Sequence, residues 1–256
     1  MKQLRITLSA GAVLAAGVTV AIAGTPFGGD DTGTVPDPAH KTTLKCEETI
    51  GKAVGKAVGC IAKCTAKRSS GVFADDTAED ACEKNLAGKS CLEKFTAAGA
   101  KAQSKDTTGG CNCISVSGLA TVIEFDLDSM NNAVYCDTTS GTPFGGDDTG
   151  DVPVAKSAVA KCEDTVNKLV GKAAGCIIKC HAARASGKLA DDTAEDACEK
   201  NNAGHSCLEK FQASVAKLTG CPPCLNATTL ASTIESTLDT GNSLTYCASP
   251  SGAFLE

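Results

Sequence analysis

The chain has 256 residues, 16 cysteines, no tryptophan and a formal net charge of −6 at pH 7. An acidic balance of this kind argues against nucleic acids and anionic membranes as partners. Sixteen cysteines are typical of a protein that disulfides stabilise in an oxidising compartment.

Residues 1–23 have the pattern of a secretory signal peptide. Lys2 and Arg5 come before an apolar stretch over 6–21, and an Ala-Ile-Ala site ends at Ala23. A retained membrane anchor is the alternative, but the Gly, Ser and Thr content of the stretch favours cleavage after Ala23. Cleavage leaves 22 basic against 30 acidic residues, a net charge of −8. We therefore expect an exported chain, periplasmic or extracellular, that keeps no membrane segment.

The remaining chain is an internal repeat, which we describe as unit 1 (24–137) and unit 2 (154–256). The strings TPFGGDDTG, ADDTAEDACEKN and SCLEKF each occur twice, and each unit holds eight cysteines. We predict two similar domains, joined by a Gly- and Asp-rich linker over 138–153. The cysteines are Cys46, Cys60, Cys64, Cys82, Cys91, Cys111, Cys113 and Cys136 in unit 1, and Cys162, Cys176, Cys180, Cys198, Cys207, Cys221, Cys224 and Cys247 in unit 2.

The first element of each unit is predicted to be a long helix. Apolar residues recur at steps of three and four from Cys46 to Cys64, and again from Cys162 to Cys180. Glycines lie four residues apart on this helix, and each costs about 0.5 to 1 kcal/mol relative to alanine. Such glycines predict a close crossing with another helix; the alternative is a weak helix held mainly by disulfides. They are Gly51, Gly55 and Gly59 in unit 1, and Gly171 and Gly175 in unit 2.

Shorter elements follow in each unit. Residues 75–77 offer N-cap oxygens for a second helix, and Ser90 with Glu93 resembles a capping box before a helix over 91–98. Unit 1 is longer in the segment 96–110, which we predict to be a loop. A last helix is predicted over 119–130 and 228–238, with short extended pieces at 114–116 and 134–135. The predicted class is all-α: two tandem disulfide-stapled helical domains, each a helical hairpin plus one or two short helices.

The eight cysteines of a unit allow 105 pairings, which helix geometry narrows. Cys60 and Cys64 lie one turn apart on one helix face, so both should reach across to a neighbouring helix. This predicts a Cys64–Cys82 bridge near the hairpin loop and a Cys60–Cys91 bridge outside it, if the chain bends at Gly88. Four bridges could contribute roughly 10 kcal/mol per unit. The other cysteines would pair in either order, Cys46 and Cys136 with Cys111 and Cys113.

Two cysteine motifs suggest chemistry beyond stapling. Cys176, Cys180 and His181 resemble a haem-attachment motif with one extra spacer residue, but unit 1 has a threonine in place of the histidine. Cys221 and Cys224 resemble the C-x-x-C pair of thiol-disulfide exchangers, but unit 1 spaces its equivalent cysteines differently. We interpret both motifs as structural.

Metal binding has two further candidates. The acidic GGDDTG loops could hold calcium, with Asp30, Asp31, Asp147 and Asp148 as weak candidates, but they do not fit the EF-hand spacing. A solvated turn or linker is the favoured interpretation. Zinc bound by four cysteines is conceivable, but an even cysteine count in an exported chain favours disulfides.

Conventional hydrolytic catalysis finds little support. The three histidines are His40, His181 and His205, and none occurs at the same place in both units. The sequence also lacks the strings typical of nucleophile elbows, phosphate-binding loops and zinc proteases. We therefore expect no enzymatic activity and no cofactor.

The combined motifs TPFGGDDTG, CIIKCH, CEKN and CPPC resemble those of cysteine-rich tandem-repeat helical proteins that bacteria export. The resemblance covers nearly all of the mature chain and implies architecture and export, since the motifs carry no known activity. We expect an exported structural or binding protein whose partner is a protein or a small ligand. The alternative is a redox or metal- or haem-binding protein that uses Cys221 and Cys224, the Cys176–His181 motif or the acidic loops.

Overall fold

The structure, a computed structural model, describes residue 27 and residues 41–138, 140–145 and 150–247. Eight α-helices occur in these ranges, whose backbone contains no strand beyond an isolated bridge between Pro143 and Asp151, so the predicted all-α class is confirmed. None of the described helices is long and apolar enough to cross a membrane. The helices are α1 (Lys41–Ser69), α2 (Asp76–Glu83), α3 (Cys91–Gln103), α4 (Val116–Val134), α5 (Ala158–Ala185), α6 (Asp192–Glu199), α7 (Cys207–Val215) and α8 (Ala227–Thr245).

Short helices begin where the sequence predicts. The Asp75 side chain accepts a hydrogen bond from the Ala78 amide and caps α2, and Ser90 and Glu93 make both bonds of a capping box at α3. Each cap satisfies amides that have no partner inside the helix. The same caps recur at α6 and α7 in unit 2. Local sequence alone therefore specifies these helix starts.

One local prediction is wrong, and another is wrong in part. Segment 96–110, predicted to be a loop, is helical through Gln103, so α3 has 13 residues where α7 has 9. Ile114 and Ser115 have the predicted extended backbone, whereas Val116 and Val134, also predicted to lie in extended pieces, are the first and last residues of α4, which reaches beyond the predicted 119–130. Their apolar side chains are buried, so their hydrophobicity reflects packing at helix ends and not strand formation.

The two long helices cross closely at their glycines. A Cβ atom built on Gly171 would lie 3.1 Å from the Gly59 Cα, and one on Gly55 would lie 3.4 Å from the Gly175 Cα. These pairs run in opposite directions along the two helices, so α1 and α5 are antiparallel at the crossing. The close crossing predicted from the glycines is confirmed, and the partner is the long helix of the other unit.

One hydrophobic core serves both units. The same cluster of buried side chains includes Ile50 and Ile61 of α1 together with Val166 and Ile177 of α5, all fully buried. The shorter helices of each unit pack against the outside of this central pair. The two units therefore share their core, and the predicted division into two separate domains is not confirmed.

The described part of the predicted linker is built into the structure. The Phe144 ring is buried and meets the Tyr135 ring edge-on, with centroids 5.4 Å apart. The Thr138 hydroxyl donates to the Asp151 carboxylate at 2.9 Å, which ties two parts of the segment together. Phe27, which holds the equivalent place in the first TPFGGDDTG string, meets Tyr246 with centroids 5.6 Å apart. The predicted signal segment, 1–23, lies outside the described residues.

All sixteen cysteines form disulfides, and most of the predicted scheme is confirmed. The hairpin bridges are present in both units, as Cys60–Cys91, Cys64–Cys82, Cys176–Cys207 and Cys180–Cys198. Gly88 has a positive φ of 81°, and the chain bends there as the outer bridge requires. Cys46–Cys111 is also present, with Cys162–Cys221 as its equivalent.

The prediction that Cys136 pairs with Cys111 or Cys113 is wrong. Cys136 bonds to Cys224 and Cys113 bonds to Cys247, so both bridges join the two units. The physical reason is the shared core, which brings the end of each unit's last helix beside the turn of the other unit. The two cross-unit bridges are equivalent, because each joins the eighth cysteine of one unit to the seventh of the other.

Candidate ligand-binding site

An apolar cleft lies between α4 and α8, with α1 and α5 as its floor. Its volume is about 80 Å³. Its rim is partly exposed at Val122 and Met130 on α4 and at Leu238 on α8. The apolar side chains of its interior include Val54, Val58, Ile123, Val170, Ile178 and Ile234. Clefts of this composition bind small, mainly apolar molecules.

Two glycines keep the cleft open at one end. Gly51 of α1 and Gly241 of α8 both line it, and a Cβ atom built on Gly241 would meet nothing within 4 Å. Each glycine has a larger equivalent in the opposite unit: Asn167 corresponds to Gly51, and Met130 corresponds to Gly241. The space at this end therefore results from two small residues that the partner unit does not repeat.

The Tyr246 hydroxyl stands at this end of the cleft. The side chain is 1% exposed, yet its hydroxyl has no hydrogen-bond partner among the described residues. Burial raises the pKa of Tyr246 well above its usual range, so the group stays a neutral hydroxyl. A buried polar atom without a partner costs about 1–3 kcal/mol. A ligand that offers a polar atom here would recover that cost.

Tyr135, the equivalent tyrosine, is fully paired. Its hydroxyl donates to the Asp164 carboxylate at 3.1 Å and accepts from the Asn167 side-chain amide at 3.1 Å. The same Asn167 amide donates to the Ala62 carbonyl at 2.9 Å. Gly51 occupies the place of Asn167 at the other end, and this is why Tyr246 lacks the equivalent bond.

His181 lies beside the cleft and faces three carboxylates. Its Nε2 atom is 3.0 Å from Glu199 Oε1, 3.1 Å from Asp239 Oδ1 and 4.0 Å from Glu195 Oε1. Burial lowers the pKa of His181, but the hydrogen bond to Asp239 and the negative charge of the Glu199 and Glu195 carboxylates beside Nε2 outweigh it and raise the pKa to about 10. Burial also raises the pKa of Glu195 to about 7. We call these four residues the acidic cluster of unit 2.

Unit 1 keeps the carboxylates of this cluster without the imidazole. Thr65 stands in place of His181, and its hydroxyl donates to Glu83 Oε1 at 3.5 Å. Burial and the neighbouring Glu79 raise the pKa of Glu83 to about 9, and burial raises that of Glu79 to about 7. Asp128 is equivalent to Asp239. The two clusters thus differ by one side chain in their centre.

The structure separates the residues of the two cysteine motifs. Cys221 and Cys224 bond to Cys162 and Cys136, and not to each other as a C-x-x-C exchanger requires. Cys176 and Cys180 also bond to other cysteines, which leaves no thiol there for haem attachment or for a four-cysteine zinc site. The calcium candidates Asp30, Asp31, Asp147 and Asp148 lie outside the described residues.

The acidic cluster and the cleft were both missed from the sequence. The sequence groups His181 with Cys176 and Cys180, whereas its contacts are with carboxylates on α6 and α8. The signal that could have found both sites is the difference between the units, at positions 65 and 181 and at positions 51 and 167. These are changes of side-chain chemistry at buried positions.

Comparison with known proteins supplies no relative, since no protein-family model, no curated protein and no solved structure matches the chain.

Proposed function

We propose that this protein is an exported, non-enzymatic binding protein that holds a small, mainly apolar ligand in the cleft between α4 and α8. The observation that carries the proposal is the buried Tyr246 hydroxyl without a partner at the end of an apolar cleft. Eight disulfides support the exported state, because such bonds persist in oxidising compartments.

The ligand is expected to be a compact apolar group with one polar atom. The cleft volume of about 80 Å³ is about half that of an apolar cavity of 150 Å³ that binds benzene, and its rim is partly open. The polar atom would pair with Tyr246, and the apolar part would contact Val58 and Ile234. The bridges Cys113–Cys247 and Cys136–Cys224 lie next to the ends of α4 and α8 and hold these two walls of the cleft together, so binding requires little ordering of the protein.

Phenol and toluene test this proposal, because they have similar size and shape but only phenol has a hydroxyl. We expect both to bind saturably in calorimetric titrations of the full chain kept in chelator. In Tyr246→Phe, the affinity of phenol relative to toluene should fall by about threefold to tenfold, the value of one neutral hydrogen bond. An unchanged ratio would contradict the role of the hydroxyl, and absence of saturable binding in the wild type would overturn the proposal.

A transplant between the units provides a second test. The double variant Gly51→Asn with Ile178→Ala gives this end the residues found beside Tyr135, where Asn167 lies against Ala62. The new amide should pair with Tyr246 and occupy the end of the cleft, so binding of both ligands should be lost. Phe125→Ser is the matched control, because Phe125 is 70% exposed and unit 2 has Ser236 at the equivalent place. Retained binding in the transplant would place the ligand elsewhere.

A further inference from the structure

The acidic cluster of unit 2 places three carboxylates around the imidazole Nε2 of His181. The donor atoms of His181, Glu195 and Glu199 all lie within 4.8 Å of one another, and Asp239 Oδ1 is 3.1 Å from the imidazole Nε2. His181 and Glu199 are almost fully buried, at 4% and 1% exposure of their side chains. The side chains of Glu195 and Asp239 are 12% and 11% exposed, so an ion can approach from their side.

One carboxylate oxygen of the cluster is left unsatisfied. Glu199 Oε1 is buried and accepts no hydrogen bond within the described ranges, although it lies 3.0 Å from the His181 Nε2 atom. The hydrogen bond of Nε2 goes to Asp239 instead. The Nε2 atom makes its one hydrogen bond with Asp239, whereas a metal ion at this point would contact both oxygens and the nitrogen.

Charge balance also favours a divalent ion. Three ionised carboxylates with one imidazolium and the Arg184 guanidinium, whose Nε lies 4.0 Å from Glu195 Oε2, leave one negative charge in a mostly buried site, and buried charges are costly without partners. A divalent cation beside a neutral imidazole leaves none. Imidazole and carboxylate ligands together suit zinc, whose bonds of about 2.0–2.2 Å place tetrahedral donors about 3.3 Å apart. The observed Nε2-to-oxygen distances of 3.0, 3.1 and 4.0 Å lie around this value.

We propose that unit 2 binds one zinc ion through His181, Glu195, Glu199 and Asp239. The site belongs to unit 2 alone, because Thr65 replaces the imidazole ligand in unit 1. It joins α5, α6 and α8 at a place where no disulfide ties α8 to the other two helices. Zinc would therefore fasten α8, one wall of the cleft, to the hairpin formed by α5 and α6.

The test measures bound metal directly. Full-length protein without a histidine tag and with intact disulfides is stripped with chelator, mixed with zinc chloride and passed through a desalting column. We expect one zinc ion per chain by atomic emission. His181→Thr, which copies unit 1, should abolish the retained zinc, and His205→Lys, which also copies unit 1 at an exposed position, should retain it.

Conservative variants separate a loss of zinc binding from a loss of the fold. Asp239→Asn and Glu199→Gln keep the size of the side chain, and we expect each to weaken zinc binding by roughly tenfold or more. Circular dichroism confirms that each variant is folded. Wild-type protein without retained zinc, or His181→Thr with as much zinc as the wild type, would overturn the site. Phenol binding is measured in chelator and does not depend on zinc. A negative zinc result therefore does not contradict the cleft proposal, and a negative phenol result does not contradict the zinc site.

Discussion

Two equivalent tyrosines lie at opposite ends of the crossing between α1 and α5, and their hydroxyls differ in hydrogen bonding. Tyr135 is fully buried and paired with Asp164 and Asn167, whereas Tyr246 is equally buried but lacks a partner among the described residues. The residue opposite each hydroxyl explains the difference, since Asn167 stands at one end and Gly51 at the other. The second partner differs as well, since Glu48 stands in the place of Asp164 and pairs with Lys52. Two changes thus separate a closed polar contact from a cleft that can take a ligand.

The two ends of the crossing should be alike in how much stability their cross-unit bridges contribute. Cys136→Ser with Cys224→Ser removes the bridge beside Tyr135, and Cys113→Ser with Cys247→Ser removes the one beside Tyr246. Because the two bridges are equivalent, each pair of changes should lower the free energy of unfolding by a similar amount, about 2–4 kcal/mol. Urea unfolding of the purified variants measures this loss.

A within-unit bridge is the control for that comparison. Cys60 and Cys91 are 31 residues apart in sequence, against 134 for Cys113 and Cys247. If disulfides act by restricting the unfolded chain, Cys60→Ser with Cys91→Ser should lose less stability than either cross-unit pair. A cross-unit pair that loses less than this control would show that the units do not depend on each other.

Removing the two tyrosine hydroxyls should give different results. Tyr135→Phe leaves the Asp164 carboxylate and the Asn167 amide without their shared partner, so we expect a loss of about 1–3 kcal/mol in unfolding free energy. Tyr246→Phe removes a hydroxyl that makes no such bond in the described structure, so stability should stay within about 0.5 kcal/mol of the wild type or rise. Denaturant titrations of both variants in chelator measure the difference.

Equal losses in the two variants would contradict the asymmetry between the ends. A large loss in Tyr246→Phe alone would mean that its hydroxyl has a protein partner. The transplant of Gly51→Asn with Ile178→Ala sharpens the comparison, because it gives Tyr246 one of the two partners that Tyr135 has and should make Tyr246→Phe costlier than it is in the wild-type background.

Much of the fold could be predicted from the sequence, because the signals are local. The helical spacing from Cys46 to Cys64, the caps at Asp75 and Ser90 and the hairpin bridges all depend on residues within one or two turns or one hairpin. The cross-unit bridges could not be predicted this way. Cys113 and Cys136 have chemically identical equivalents in unit 2, and only the shared core decides which partner is near.

The candidate sites were harder to predict for the same reason. In the sequence, Gly51 is one of several helix glycines. Its importance follows from its contact with Tyr246, which is far away in the chain. In the sequence, His181 belongs to a cysteine motif. In the structure, α6 and α8 place carboxylates beside its ring. In both cases the informative fact was the difference between the units, and its meaning depended on tertiary contacts.

Glu83 and Glu199 are equivalent glutamates of the two acidic clusters, and in metal-free protein their replacement should affect stability differently. The unfolded Glu83 carboxyl loses its proton above about pH 4.5, whereas burial holds the folded pKa at about 9, so stability falls as the pH rises across this window. Glu83→Gln cannot titrate and should remove that fall, at most about 1.4 kcal/mol per pH unit. Unfolding measured from pH 5 to pH 9 should show little effect at the acid end and a growing gain above it.

Burial raises the pKa of Glu199 as well, but Glu199→Gln should have the opposite sign at pH 7, because the loss of a partner for protonated His181 outweighs the removal of one buried carboxylate. The pKa of His181 rises from 6.5 to about 10 in the folded chain, so its contribution to stability is complete below pH 6.5 and is lost as the pH rises through 10. Glu199→Gln weakens that contribution and should lower stability at pH 7, with a smaller effect near pH 10. Asp137→Asn, at an exposed carboxylate, should leave both profiles unchanged. If both glutamine variants changed stability in the same direction at pH 7, His181 would not be the charge that distinguishes the two clusters.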